Sequence, residues 1–374
     1  MDLLYGGDVM VGTLSGLTMV SAAINGIGNL VRYDRQNYYK VAPGVAESWT
    51  VNADSTEWVF KIHDGIKWHD GMPFTADDAK FWLDLAYNGV KVGDKTRPPA
   101  GWRTNLGQID TVDVLDGNQV RIRMKAPARQ LLQTMGDPVQ QIAHPKHLMQ
   151  PKIDQGMVNV APQDIGWVSI GPYKMGTYDK GSRIQLKRND QYWEKDAQGQ
   201  ALPYLDGITY AIISDANSMD AAFKVGQLDA GNRNSAFILG KDRLDSYIKD
   251  MGNKAWFTQI GFSSIGLAFN TIKSGPFQDL RVRKAISLWS DREAITPIRG
   301  GLTYPQVILN PNNPFSNPDF MTWPGWNRAT RQQDMAQAKQ LMSDAGYAKG
   351  FNTTITVASQ FQQDGVMWQG QLSG

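Results

Sequence analysis

Cysteine and histidine, which often act as nucleophiles, acid–base groups or metal ligands, are scarce in this chain. Its 374 residues include no cysteine and four histidines, which excludes thiolate nucleophiles, iron–sulfur clusters and cysteine zinc sites. His144 and His147 have a spacing that two metal ligands can adopt, but no carboxylate lies beside them and Pro145 favours an extended loop. His63 and His69 each precede an Asp-Gly pair, which is typical of turns. The sequence therefore predicts no metal site.

Motifs for phosphate and nucleotide binding are incomplete. Residues 89–96 resemble a phosphate-binding loop, but the spacing is one residue short and Asp94 would repel phosphate. Gly26-Ile27-Gly28 begins like a dinucleotide loop, but Val31 occupies the position of the third glycine. Nucleophile elbows and His-Glu-x-x-His patterns are absent. The sequence therefore favours a binding protein over an enzyme and predicts no cofactor.

The composition argues against a nucleic-acid-binding protein and against a membrane-spanning segment. The 38 basic and 36 acidic residues give a net charge of +2, whereas a nucleic-acid-binding protein usually has a larger positive excess. No run of 18 apolar residues occurs, so no membrane-spanning segment is predicted. Aromatic residues make up 10% of the chain and include 12 tryptophans, which suits a cleft for amphipathic ligands.

The sequence shows two patterns of secondary structure that would position a functional site. Apolar residues alternate with a period of two from Val45 to Met124, after an opening in which 8–16 is expected to be a loop. Within that stretch Thr75 and Asp78 have capping-box spacing before a helix. A hairpin is predicted to pair 111–115 with 119–124 around an Asp-Gly-Asn turn.

After Tyr173 the pattern is typical of α/β layering. A strand at 207–213, a helix at 216–225 and a short strand at 227–230 form one strand–helix–strand repeat. Two further helices are predicted, one at 279–289 and one that begins after Thr330, and a threonine-rich strand is predicted at 352–359. We therefore expect an α/β fold with an antiparallel α+β region in its first half.

Several segments carry a resemblance to a known family. The block VAPGVAESW at 41–49, followed by WVFKIHDGIKWHDGMPFTADD at 58–78, resembles the signature of family 5 extracellular solute-binding proteins. Five later segments are similar to this family in the same order, namely 169–173, 188–193, 222–230, 267–285 and 338–347. The family comprises the dipeptide-, oligopeptide- and nickel-type receptors of ABC importers.

The resemblance implies a fold and a domain organisation. We expect the two-lobed periplasmic-binding-protein type II fold with an extra α+β subdomain. The first lobe would be split between 1–40 and 167–266, the subdomain would span 41–166, and the second lobe would span 267–374. Because family members are longer, we expect this second lobe to be truncated and the chain as given to bind ligand poorly.

The resemblance also implies a function. We expect an extracytoplasmic receptor that captures a peptide or similar small solute between its lobes and delivers it to the membrane permease of an ABC transporter. The protein would be a monomer without nucleic-acid partners, periplasmic or extracytoplasmic and membrane-associated, although no signal sequence precedes the chain. Two alternatives stay open. In the first, the same scaffold binds an oligosaccharide or metal chelate. The second is a carbohydrate-active hydrolase, which would need a facing pair of carboxylates.

By resemblance, three regions should face the ligand cleft. They are the first loop with the helix that follows it, the subdomain loop, and the segment before Pro138. The ligand-binding candidates in these regions are Met10, Thr18, Met19, Trp102, Met135 and Asp137.

Overall fold

The computed structural model describes most of the chain, in two compact units. The described residues are 8–13, 24, 28–34, 40–98, 109–136, 144–213, 215–231, 241–254, 266–298, 318–357 and 362–373. The units are Met1–Phe237 and Ile238–Gly374, so the division falls earlier than the expected start of the second lobe at 267. The predicted lobe boundaries stay a prediction. A compact unit is defined by packing, whereas a lobe is defined by the residues that move together as a rigid body.

Strands are confined to the first unit in the part of the chain that the structure describes. They are β1 (Asp8–Thr13), β2 (Val31–Tyr33), β3 (Val41–Pro43), β4 (Ala46–Val51), β5 (Glu57–Ile62), β6 (Val90–Val92), β7 (Lys95–Arg97), β8 (Ile109–Leu115), β9 (Gln119–Met124), β10 (Tyr173–Asp179), β11 (Arg183–Arg188), β12 (Gly207–Ile212) and β13 (Ala230–Gly231).

The α-helices occur in both units. They are α1 (Ala76–Asn88), α2 (Leu131–Met135), α3 (Lys146–Asp154), α4 (Ala216–Lys224), α5 (Lys241–Met251), α6 (Leu280–Trp289), α7 (Ile295–Ile298), α8 (Arg331–Asp344) and α9 (Gln362–Leu372).

The first sheet has five strands in the order β10-β11-β12-β1-β13. Its β12, β1 and β13 are parallel, whereas β10, β11 and β12 are antiparallel. The predicted strand–helix–strand order is confirmed, since α4 connects β12 to β13 across β1, although the short return strand is Ala230–Gly231 and not 227–230. The predicted loop at 8–16 is wrong over 8–13, which form the interior strand β1. Pairing with two neighbouring strands outweighs the local glycine signal there.

The second sheet, β4-β5-β9-β8, is antiparallel throughout. The predicted hairpin is confirmed, with Thr111 opposite Arg123 and Leu115 opposite Gln119. Alternate residues of β5 and β9 are buried, as the period of two predicts. Phe60 and Ile122 are fully buried in the main core of the unit.

Helix α1 is buried on two sides. Its residues Ala79, Trp82 and Leu83 belong to the core formed by the second sheet, while Phe81 and Leu85 belong to a separate core that contains residues of α3. The capping box of Thr75 and Asp78 is present at its N-terminus, as predicted.

Asn118 connects the β8–β9 hairpin to α1. Its Oδ1 accepts a hydrogen bond of 2.8 Å from the Ala76 N–H, and its Nδ2 donates to Asp64 at 3.3 Å. Its φ of 58° is in the left-handed region, which Asn tolerates better than most residues. One turn residue therefore satisfies an otherwise unpaired N–H at the start of the helix.

The second unit is helical where it is described. Helices α6 and α8 share a small core of Ala285, Leu288 and Ala338. The predicted strand at 352–359 is wrong over 352–357, which form no strand, and 358–359 lie outside the described residues. Threonine favours strands only where a partner strand is available. Helix α9 was not predicted, because its glutamine-rich sequence lacks a clear apolar stripe. Within the described residues, none of the helices is long and apolar enough to cross a bilayer.

Gly44 provides the first stability test. The backbone of 44–46 bonds to Asn29 and Leu30, and a Cβ on Gly44 would lie 2.8 Å from the Leu30 carbonyl oxygen. Gly44→Ala should therefore lower the free energy of unfolding by about 1–3 kcal/mol, the usual cost of overpacking. Urea unfolding followed by tryptophan fluorescence measures this. The control is Gly266→Ala, where a Cβ meets no atom within 4 Å; equal stability of the two variants would contradict the close approach at Gly44.

Asn118 provides a second test with two substitutions. Asn118→Gly keeps the left-handed backbone and removes the side-chain hydrogen bonds, so it should cost about 1 kcal/mol in unfolding free energy. Asn118→Ala adds backbone strain and should cost about 1–2 kcal/mol more. Thermal and urea unfolding give the order. An alanine variant as stable as the glycine variant would rule out this account of the turn.

Candidate functional site

The carboxyl ends of three parallel strands define the candidate ligand-binding edge. Thr13 of β1 lies opposite Ile212 of β12, and Gly12 lies opposite Gly231 of β13. In open α/β sheets, ligands bind outside the carboxyl ends of the strands. β1 ends at this edge at Thr13, and Thr18 and Met19 follow it in the sequence.

Asp215 also follows the carboxyl end of one of these strands, where α4 begins. Its carboxylate accepts hydrogen bonds from the Ser218 N–H and hydroxyl at 2.8 and 2.7 Å. These bonds, the hydroxyl's first, lower the pKa of Asp215. The carboxylate is therefore ionised at neutral pH and serves as a helix cap.

The structure describes two of the six predicted site residues. Met10 lies on β1 opposite Thr209, and only its backbone is described. Thr18, Met19, Trp102 and Asp137 lie outside the described residues. Met135 is the last residue of α2 and is fully buried in the main core. This correction follows from burial, because a side chain enclosed by the core has no surface to offer a ligand.

His69 joins the turn before α1 to the segment that leads into β10. Its backbone N–H donates to the Ser169 carbonyl at 2.8 Å. Its ring Nδ1 lies 3.2 Å from the Ser169 N–H, and its Nε2 lies 3.0 Å from the Gly171 carbonyl oxygen. We call this pairing of His69 with 169–171 the histidine joint. The sequence predicted a turn or core role for His69 but not its partners.

The Gly171 peptide group makes hydrogen bonds to residues of three other chain segments. Its carbonyl accepts hydrogen bonds of 3.0 Å from His69 and from Asn189 Nδ2, and its N–H donates to the Ile24 carbonyl at 2.9 Å. Asn189 is almost fully buried, at 1% exposure. Segments 169–173 and 188–193, which carry part of the family resemblance, therefore meet at the Gly171 peptide group.

The same turn contacts α3 through a side-chain hydrogen bond. Asp70 Oδ2 lies 2.7 Å from His147 Nε2. The expected loop around His147 is wrong, because α3 begins at Lys146 directly after Pro145. Proline is compatible with a helix start, where its missing N–H is not needed, so Pro145 caps the helix rather than extending the loop.

A buried carboxylate anchors β2 to the segment after β11. Glu194 is 8% exposed, pairs with the guanidinium of Arg32, and accepts a hydrogen bond of 2.9 Å from the Tyr192 hydroxyl. A buried carboxylate is stable when it is paired and hydrogen-bonded in this way. No feature of the sequence indicated this pair, because its residues are 162 positions apart.

The second unit contains a small pocket of about 40 Å³ that is rich in arginine. The Arg331 guanidinium donates to the carbonyls of Leu288 and Ser290 at the end of α6. Arg292 lies 4.3 Å from the ring centre of Trp326 and donates to the Ser287 carbonyl at 2.9 Å. Positive groups at a helix C-terminus are stabilising, so the pocket is held by structural arginines.

The polar groups of both units thus support the backbone. Over the described ranges, no group of three or more His, Asp or Glu side chains could hold a metal ion. The described part of the first unit brings the carboxyl ends of three parallel strands to one edge of a sheet, which is where ligands bind in open α/β sheets.

Comparison with known proteins gives the class. Residues 40–371 match the middle region of the bacterial extracellular solute-binding proteins, family 5. The chain belongs to this family, as the sequence resemblance predicted, and it has the family's two-lobed α/β fold.

Two curated relatives are similar to most of this chain. It is 30% identical over 369 residues to a probable ABC transporter-binding protein of Deinococcus radiodurans, covering 90% of this chain and 57% of the relative. It is 24% identical to the glutathione-binding protein GsiB of Salmonella paratyphi A, covering 84% of this chain and 55% of the relative. The chain therefore spans a little over half the length of these curated relatives.

A solved structure shows the same fold. The periplasmic binding protein DppA of Helicobacter pylori, in complex with the peptide STSA, superimposes with a TM-score of 0.70 at 19% identity. The match covers 99% of this chain and 72% of that protein.

The Glu194 cluster can be tested by a double-mutant cycle. Glu194→Gln leaves a half-buried Arg32 without its counter-charge and should cost about 1–3 kcal/mol, reduced from the fully buried case because Arg32 is partly exposed. Tyr192→Phe should cost about 1 kcal/mol. Both changes act on one carboxylate, so the double variant should be less destabilised than the sum. Strictly additive urea-unfolding free energies would contradict the shared contact.

Proposed function

We propose that the protein is the solute-binding receptor of an ABC importer and captures a small peptide or peptide-like solute. Family membership carries this proposal, because residues 40–371 match family 5. One relative is named for glutathione, which is itself a tripeptide, and one structural neighbour holds a peptide. A fold alone does not determine the ligand, so the solute class is the part that needs experiment.

The described geometry supports a binding role. The parallel strands β12, β1 and β13 present their carboxyl ends at one edge. The half-buried His69 and the buried Asn189 and Glu194 hold the frame around that sheet. His69 and Asn189 bond to backbone groups, and Glu194 bonds to Arg32 and Tyr192. We take these contacts as structural, which favours a receptor over an enzyme.

The remaining parts of the proposal concern the whole protein. We propose that it acts outside the cytoplasmic membrane, associated with that membrane, as a monomer that passes its solute to the permease. The relatives named for ABC transport support this location and partner. The proposal of a non-enzymatic role follows from the same relatives.

The proposed solute class can be tested on protein expressed from its native gene. Native mass spectrometry of the purified protein should show a bound mass, and fragmentation of that mass should give peptide fragments. Calorimetric titration with the released solute then gives its dissociation constant. A bound oligosaccharide or metal chelate would overturn the peptide assignment and keep the receptor role, whereas turnover of aryl glycosides would overturn the receptor role itself.

Trp102 gives a site-specific prediction. The family resemblance of the sequence supports a position for Trp102 at the cleft, and we propose that its indole contacts the solute. Trp102→Ala should weaken binding by about 1–3 kcal/mol, roughly 5- to 150-fold in the dissociation constant, with the unfolding free energy unchanged. Calorimetry and urea unfolding measure the two quantities. Unchanged affinity with reduced stability would assign Trp102 to the core.

A further inference from the structure

The turn at 69–71 is held on two sides by residues distant in the chain. On one side, the backbone and ring of His69 bond to Ser169 and Gly171. On the other side, Asp70 pairs with His147 of α3. Ser169 is 2% exposed and His69 is half-buried. The turn therefore links the sheet β4-β5-β9-β8 and its helices to the segment that enters β10.

The partners of the His69 ring fix its protonation state. A backbone N–H can only donate, so Nδ1, 3.2 Å from the Ser169 nitrogen, must accept. A backbone carbonyl can only accept, so Nε2, 3.0 Å from the Gly171 oxygen, must carry the proton. The ring is therefore the neutral Nε2–H tautomer. A second proton would place an Nδ1–H against the Ser169 N–H.

The charged groups around His69 come from three elements. Lys174 of β10 donates to the His69 carbonyl at 3.1 Å, and Asp70 is its neighbour in the turn. His147 of α3 faces the turn through Asp70. Burial lowers the pKa of His69, and Lys174 acts in the same direction, while the hydrogen bonds to the Gly171 and Trp167 backbone and the charge of Asp70 oppose them. The balance keeps the ring neutral in the folded protein.

We propose that the histidine joint is a pH-sensitive connection that opens when His69 takes up a proton. The stabilisation is fully present above the unfolded histidine value of about 6.5. It decreases as the pH falls from there towards the lower folded value, because the opened state binds more protons. The joint therefore weakens on acidification, whichever solute the protein carries. A protein outside the cytoplasmic membrane would meet such changes in external pH.

The first test observes the ring directly. Long-range nitrogen–proton correlation spectra of the folded protein should show His69 as the Nε2–H tautomer at neutral pH, with a titration midpoint below 6.5. An Nδ1–H tautomer, or a midpoint at or above 6.5, would overturn the proposal. This measurement needs no substitution, so it does not depend on a variant that folds.

The second test measures opening of the joint. Amide hydrogen exchange of Ser169, corrected for intrinsic rates, should lose protection between pH 7.5 and 5, by up to about tenfold per pH unit within the titration window. The Ile122 amide of the buried strand β9 serves as a reference for global unfolding.

Two matched variants separate His69 from other titrating groups. In His69→Asn the side-chain oxygen can take the place of Nδ1 as acceptor and does not titrate, so protection of Ser169 should be independent of pH after correction. His63→Asn, in the neighbouring Asp-Gly turn, should keep the wild-type dependence. Wild-type dependence in His69→Asn, or its loss in His63→Asn, would show that another group is responsible.

Discussion

The mutual placement of several segments of the first unit depends on hydrogen bonds to one peptide group, that of Gly171. Its carbonyl accepts from His69 and Asn189, and its N–H donates to Ile24. Three chain segments that are far apart in sequence are thus fixed at a single buried point. An unpaired buried donor or acceptor would cost roughly 1–3 kcal/mol, so each partner is constrained by the others. The sheet containing β1 and the sheet containing β5 are linked through this point.

This constraint also fixes the buried and half-buried polar residues around the Gly171 peptide group. His69 and Asn189 are bound to backbone groups, and Glu194 is bound to Arg32 and Tyr192. Groups saturated by such contacts are held in place and are not available for proton transfer to a substrate. What they supply is a rigid frame around the parallel strands. Rigid placement of a strand edge is what a receptor needs to meet its ligand without reorganisation.

Local signals in the sequence were sufficient for several elements. The Asp-Gly-Asn turn predicted the β8–β9 hairpin, and Thr75 with Asp78 predicted the start of α1, because in both cases the determining contacts lie within a few residues. Non-local features were missed. β1 is a strand because β12 and β13 flank it, and His69 meets Ser169 across 100 residues. The family resemblance supplied the fold that these local patterns could not.

The candidate site was harder to predict for a physical reason. An apolar residue such as Met135 has the same sequence pattern whether it fills a core or lines a cleft, and the structure places it in the core. Polar residues that hold the frame, such as Asn189 and Glu194, have no local pattern at all. Only three-dimensional packing separates them from ligand contacts.

A crystal structure of the protein with its co-purified solute tests the central claim most directly. The account predicts that the solute contacts residues at or directly after the carboxyl ends of β1, β12 and β13. A solute bound entirely elsewhere, for example in the arginine-rich pocket at Trp326, would contradict the assignment of the ligand-binding edge.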